Sequence, residues 1–131
     1  MHDLSDWLVL VIDDEPDNIG VIDLVLGFYG AEVHQATSGT AGLQALEALT
    51  PTMILLDIQM PDITGFELLP RLRQDERLQR IPIIAVTAHA MAGDEERILE
   101  AGFDGYIPKP INAMTLTDEL KSIIDRRMSN V

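Results

Sequence analysis

The stretch Trp7-Leu8-Val9-Leu10-Val11-Ile12-Asp13-Asp14-Glu15-Pro16 opens on six apolar residues and breaks at once into three carboxylates and a proline. An unbroken apolar run of strand length, ended by turn-forming residues, marks a strand covered on both faces, as in parallel sheets with crossover helices. Pro16 suits a first helical turn, and Ile19, Ile22 and Leu26 follow at spacings of three and four, so a helix is expected over 16–28. The same alternation continues along the chain. Strand-length runs recur at 32–36, 53–56, 83–86 and, most weakly, 105–107. The first, third and fourth runs are nearly continuous in Val, Ile and Leu and belong at the centre of a sheet; the other two read as edges. Ser38 is placed as the N-cap of a helix carrying Ala41, Leu43, Leu46 and Leu49, with Pro51 after its stop. Thr64 caps a third helix with Phe66, Leu68, Leu69 and Leu72. A fourth is expected over about 91–100, closed by Gly102 in a left-handed C-terminal position. A fifth starts near Asn112 and carries Leu116, Leu120, Ile123 and Ile124. Pro70 predicts a kink or a late start in the third helix, because an interior proline costs about 3 kcal/mol. Residues 126–131 read as a frayed end.

Composition narrows the function. The 131 residues suit one domain, spanning 1–131 with a core over about 7–127. Nine Lys and Arg against 22 Asp and Glu give a net charge of −13, which repels phosphate backbones and disfavours direct nucleic-acid binding. The absence of cysteine excludes disulfides, thiolate metal sites and cysteine nucleophiles. No apolar run reaches the ~18 residues of a membrane span and the first residues lack a basic signal-peptide region, so a cytoplasmic protein with no membrane contact is expected.

The polar residues fall where such a sheet binds ligands, beyond the carboxyl ends of its strands. Asp13 and Asp14 follow the first strand, Asp57 ends the third, Thr87 follows the fourth and Lys109 the fifth. Crowded carboxylates repel one another and raise at least one pKa unless a cation sits among them. An all-oxygen ligand set with room for water favours Mg²⁺, with Mn²⁺ as a substitute. Lys109 adds a mobile positive charge and Thr87 a hydroxyl donor, so the set can bind a metal, offer a carboxylate nucleophile and neutralise a transferring phosphoryl group.

Four motifs in order, Val11-Ile12-Asp13-Asp14-Glu15, Leu55-Leu56-Asp57-Ile58-Gln59-Met60-Pro61-Asp62-Ile63-Thr64-Gly65, Ala85-Val86-Thr87-Ala88 and Tyr106-Ile107-Pro108-Lys109-Pro110, make the chain resemble the receiver domains of two-component response regulators. The resemblance implies a flavodoxin-like, doubly wound α/β fold, a five-stranded parallel sheet in the order 2-1-3-4-5 with five helices. It implies that Asp57 accepts a phosphoryl group from a sensor histidine kinase or a histidine phosphotransfer protein. It further implies Mg²⁺ held by Asp14, by Asp13 through water, by Asp57 and by the backbone carbonyl of Gln59. Thr87 and Lys109 then contact the phosphoryl group, Tyr106 swings inward as Thr87 moves, and the Lys109–Pro110 bond is cis. Gln59 and His89, each two residues beyond Asp57 and Thr87, flank the incoming phosphoryl group and are expected to set its lifetime. The segment 91–97 is similar to stand-alone and cell-cycle members. Output is expected through a protein partner or a phosphoryl relay, from a monomer or weak dimer.

Other readings compete. A Mg²⁺ phosphohydrolase would need a second Asp two residues after Asp57, where Gln59 stands, and a cap domain. A flavin carrier would place its phosphate loop after the first strand, whereas Thr37-Ser38-Gly39-Thr40-Ala41-Gly42 follows the second. A docking module independent of phosphorylation leaves Asp57 idle. Singly, Asp57 reads as a turn residue, Thr87 as a cap, Lys109 as a surface charge and Asp62 as part of its loop turn. His2 and His34 read as surface histidines, and Asp94-Glu95-Glu96 as a solvated helix start.

Overall fold

A computed structural model describes residues 4–88 and 92–129. Its elements alternate as read: β1 (Leu8–Ile12), α1 (Pro16–Phe28), β2 (Glu32–Ala36), α2 (Gly39–Ala45), β3 (Met53–Asp57), α3 (Gly65–Arg73), a short 3-10 helix (Glu76–Leu78), β4 (Ile83–Thr87), α4 (Ala92–Ala101), β5 (Gly105–Pro108) and α5 (Leu116–Ser129). All strand pairs are parallel and the order is β2-β1-β3-β4-β5, a flavodoxin-like sheet with the two weakest apolar runs at its edges.

Side chains alternate across a strand, so each central strand feeds two cores. Leu10, Ile12, Ile54, Leu56 and Ala85 face α2, α3 and α4, packing with Leu46, Leu68, Leu72 and Ile98. Val9, Val11, Leu55, Ile84 and Val86 face the other way, onto Ile22 and Leu26 of α1 and Leu116 and Leu120 of α5. Coverage on both faces explains why β1, β3 and β4 carry apolar residues without interruption.

Three strands run one residue further than the apolar signal. β3 includes Asp57, β4 includes Thr87 and β5 includes Pro108, so the polar side chains are held by the ladder itself. Trp7 lies outside β1. Ser38 caps α2 through Ala41 N–H, but the helix stops at Ala45 and continues only as a turn, short of the expected Leu49. Gly39 and Gly42 explain the brevity: glycine weakens a helix, yet a Cβ at Gly42 would meet Ile12 Cδ1 at 2.6 Å. Close approach to β1 thus takes precedence over helix propensity.

The late start expected from Pro70 does not occur. Thr64 and Glu67 form a reciprocal capping box, α3 begins at Gly65, and the helix runs past the exposed Pro70 to Arg73. Gly102 takes the left-handed conformation after α4, at φ +111°. α5 begins at Leu116 instead of Asn112, because Asn112 forms a turn first: its side chain accepts from Met114 N–H and its carbonyl from Thr115 and Leu116. The end of α5 is helical to Ser129, where fraying was expected from 126. Arg127 holds it, donating to Asp104 Oδ1 (2.9 Å) and to the Arg80 carbonyl. Asp104 Oδ2 also accepts from Arg73 (2.9 Å) and from Ile83 N–H (2.8 Å), so one half-buried carboxylate joins α3, β4, β5 and α5 at the amino edge of the sheet.

Removing one partner of such a network leaves the others unpaired. Asp104→Ala is expected to destabilise the fold by about 2–4 kcal/mol, read by urea unfolding. A loss below about 0.5 kcal/mol, the range of ordinary surface substitutions, would show that the network contributes nothing.

Candidate functional site

The parallel order brings the carboxyl ends of β1, β3, β4 and β5 to one edge, and the polar residues read from the sequence meet there. Asp13 and Asp57 are each 1% exposed and Thr87 3%. Backbone amides fix the two carboxylates: Asp13 Oδ1 accepts from Glu15 N–H at 2.8 Å and Asp57 Oδ1 from Gln59 N–H at 3.1 Å. Lys109, on the cis Lys109–Pro110 peptide, is positioned by its own N–H, which donates to the Thr87 carbonyl at 2.8 Å. Its ammonium stands 3.0 Å from Glu15 Oε1, 3.2 Å from Asp57 Oδ1 and 3.7 Å from Asp13 Oδ2.

One ammonium faces four carboxylates. Asp13, Asp14, Glu15 and Asp57 each present an oxygen within 4.8 Å of the others. Asp13 Oδ2, Asp14 Oδ1 and Asp57 Oδ2 are buried without a hydrogen-bond partner. Three buried carboxylate oxygens without a hydrogen bond, in a cluster this tight, fit a hard divalent cation, which satisfies lone pairs that Lys109 reaches only for Asp13, at 3.7 Å. The charge crowding is visible in acidity. Burial, then the neighbouring Asp13, push the Asp57 carboxyl from 3.8 up to about 7, against the opposing pull of Gln59 N–H and Lys109. Burial also raises Asp13, with Glu15 N–H and Lys109 acting the other way. For Lys109, burial favours the neutral amine, but the bond to Glu15 and the charges of Asp13 and Asp57 outweigh it and raise its pKa.

The remaining candidates sit around this centre. Gln59 is exposed at the start of the β3–α3 loop, and Tyr106 is half-buried in β5, opposite Ala85. A cavity of about 230 Å³ beside Gln59 and Thr87 is closed by Phe66 and Arg97, whose guanidinium lies 4.6 Å over the Phe66 ring. Gly65 is required where α3 meets β3, since a Cβ there would lie 2.8 Å from Ile58 Cα. His34 pairs with Glu32 at 2.6 Å, away from the acidic centre. His89, Met91 and His2 lie outside the described residues. Sequence reading missed Glu15 as the partner of Lys109, although it stands beside the two aspartates. It also missed the role of Asp62, whose partners are more than 20 residues away and give no local signal.

The model of the response regulator receiver domain matches residues 9–121, and the chain belongs to that family. It is a receiver domain of a two-component system, a signalling module. Among curated relatives, the polar-differentiation response regulator DivK of Brucella ovis is 38% identical over 116 residues, covering 88% of this chain and 94% of that protein. The chemotaxis response regulator CheY4 of Vibrio cholerae superposes with a TM-score of 0.84 at 26% identity, over 89% of this chain and 98% of that one. The receiver domain of the sensor histidine kinase PA1611 of Pseudomonas aeruginosa, solved with a magnesium ion coordinated in its active-site cleft, gives 0.79 at 32% identity, over 91% and 98% of the two chains. Among the described residues, no helix is long and apolar enough to cross a membrane.

A carboxyl that holds its proton to about pH 7 when folded, and only to 3.8 when unfolded, means that the folded state binds more protons in between. Stability contributed by this group therefore falls as pH rises through that window. Metal-free protein is expected to melt at lower temperature in slightly alkaline than in mildly acidic buffer by a margin that Asp57→Asn abolishes, and Mg²⁺ is expected to raise the wild-type melting temperature mainly at the alkaline end. An identical Mg²⁺ increment at both pH values, or in both proteins, would contradict the assignment.

Proposed function

We propose that the chain is a phosphoacceptor receiver in which Asp57 takes a phosphoryl group from the phosphohistidine of a sensor histidine kinase or a phosphotransfer protein. The observation that carries this reading is the buried Asp57 carboxylate, with one oxygen tied to Gln59 N–H and Lys109 and the other unpartnered, beside two further aspartates. An Asp57 oxygen attacks phosphorus, the P–N bond breaks, and the imidazole leaves with the electron pair, regenerating the donor's histidine. Asp14, Asp57, the Gln59 carbonyl and, more distantly, Asp13 would hold Mg²⁺, which would supply charge neutralisation for the phosphoryl oxygens. Lys109 supplies the protein's own positive charge and Thr87 a hydroxyl donor. Gln59 and, by the family resemblance, His89 set how fast water removes the phosphoryl group. The chain turns over no separate substrate; its chemistry is self-phosphorylation and autodephosphorylation.

Once Asp57 carries the phosphoryl group as an acyl phosphate, its bond with Lys109 gives way to contacts with the phosphoryl oxygens, Thr87 moves towards them, and Tyr106 turns inward into the space released. The face of α4, β5 and α5 then changes shape. A groove of about 450 Å³ there, lined by Glu95, Tyr106, Asp118 and Ile123 among others, offers the downstream protein partner both charge and apolar surface. An acidic chain of this charge acts through protein contact instead of nucleic acid, in the cytoplasm, as one domain and as a monomer or weak dimer.

Intact-mass analysis after incubation with acetyl phosphate tests the reading. One phosphoryl adduct is expected with Mg²⁺, and none without it or in Asp57→Asn. Lys109→Ala is expected to keep Mg²⁺ binding while the amide spectrum of the phosphorylated protein stays close to the unphosphorylated one. An adduct surviving in Asp57→Asn would remove Asp57 as the acceptor.

A further inference from the structure

The loop between β3 and α3, residues 58–64, carries Gln59 and is fastened at both ends. At its start, Gln59 N–H donates to Asp57 Oδ1. At its base, Gly65 N–H donates to the Ile58 carbonyl at 2.8 Å, and the Thr64–Glu67 capping box locks the turn into α3. Its outer part reaches across to α2. Asp62 accepts three hydrogen bonds there, from Gly39 N–H (3.2 Å), Thr40 N–H (3.1 Å) and the Thr40 hydroxyl (3.1 Å). Ile63 packs so close to Gly39 that a Cβ on Gly39 would lie 2.0 Å from Ile63 Cγ2, so only glycine fits at that crossing. The Thr40 and Gly39 amides, with the Thr40 hydroxyl, hold the Asp62 pKa below its ordinary value, as expected of a carboxylate bonded in its charged form.

We infer that Asp62 is a positioning residue for the metal and phosphoacceptor site: by clamping the β3–α3 loop to the start of α2, it holds Gln59 in register with Asp57. The inference rests on the reading of Gln59 as a metal ligand given above. A backbone carbonyl has no side-chain torsion with which to find its ion, so its placement depends on what fixes the loop. Between Gln59 and Thr64, the hydrogen bonds among the described residues that tie the loop's outer part to α2 are those of Asp62. The clamp is separable from the helix it touches. Ser38 caps the same α2 through Ala41 N–H and, among the described residues, makes no hydrogen bond to the β3–α3 loop, so a change at Ser38 weakens α2 while keeping every donor to Asp62.

The test is a Mg²⁺ titration followed by amide NMR on four folded proteins, wild type, Asp62→Ala, Asp62→Asn and Ser38→Ala, with melting temperatures measured alongside. Asp62→Ala is expected to weaken Mg²⁺ binding about tenfold, the lower end of what loss of a ligand-orienting partner produces. Asp62→Asn keeps one acceptor oxygen and should fall between it and wild type; this variant carries the comparison if the alanine protein does not fold. Ser38→Ala should lower the melting temperature yet bind Mg²⁺ as wild type does. Wild-type affinity in both Asp62 variants, or an equal loss in Ser38→Ala, would overturn the inference alone. A wild type that binds no Mg²⁺ would overturn the reading of the site and the inference with it.

Discussion

The structure is organised around a charge imbalance at one sheet edge. Asp13, Asp14, Glu15 and Asp57 are drawn together by the parallel strand order, and Lys109 is the cation that reaches Asp13, Glu15 and Asp57. Their repulsion costs stability, and it is sustained because two apolar cores on either side of the sheet leave β1 and β3 nowhere else to go. A pocket built in this way is poised for whatever brings positive charge or takes negative charge away. A divalent cation would do the first, using carboxylate oxygens that have no hydrogen bond. Functional sites commonly store such strain at the expense of the fold that holds them.

The opposite edge is built on the reverse principle. There Asp104 is fully partnered by two guanidinium groups and a backbone amide, tying four elements into one unit. Charge is satisfied at the amino edge and left unsatisfied at the carboxyl edge. Thr87 and Tyr106, on the adjacent strands β4 and β5, lie on the side of the sheet next to the unsatisfied edge.

Much of this was legible in the sequence, for a physical reason. Buried central strands must be apolar throughout, so β1, β3 and β4 declare themselves, and the first polar residue after each one marks the ligand edge. The caps Ser38 and Thr64 are equally local, because their partners lie three residues away. Where local preference and packing disagree, the sequence misleads. Helical periodicity over 41–49 overstated α2, since Gly39 and Gly42 are there for close approach and weaken the helix. Pro70 suggested a delayed α3, but a complete capping box fixes the start. The apparent fray after Arg126 is instead held by Arg127, whose partner Asp104 is 23 residues away in the chain. The pairing of Glu15 with Lys109 spans 94 residues, and the clasp of Asp62 on Thr40 spans 22; neither leaves a periodicity or a spacing to read.

The central claim is that burial together with crowding at the carboxyl edge, relieved by a cation, governs the Asp57 carboxylate. A carbon-13 NMR titration of the Asp57 side-chain carboxyl, assigned by its absence in Asp57→Asn, addresses it most directly. Burial and crowding together predict a midpoint of about 7 in metal-free protein and a marked downward shift when Mg²⁺ is added. A midpoint near the ordinary 3.8 that Mg²⁺ does not move would contradict it.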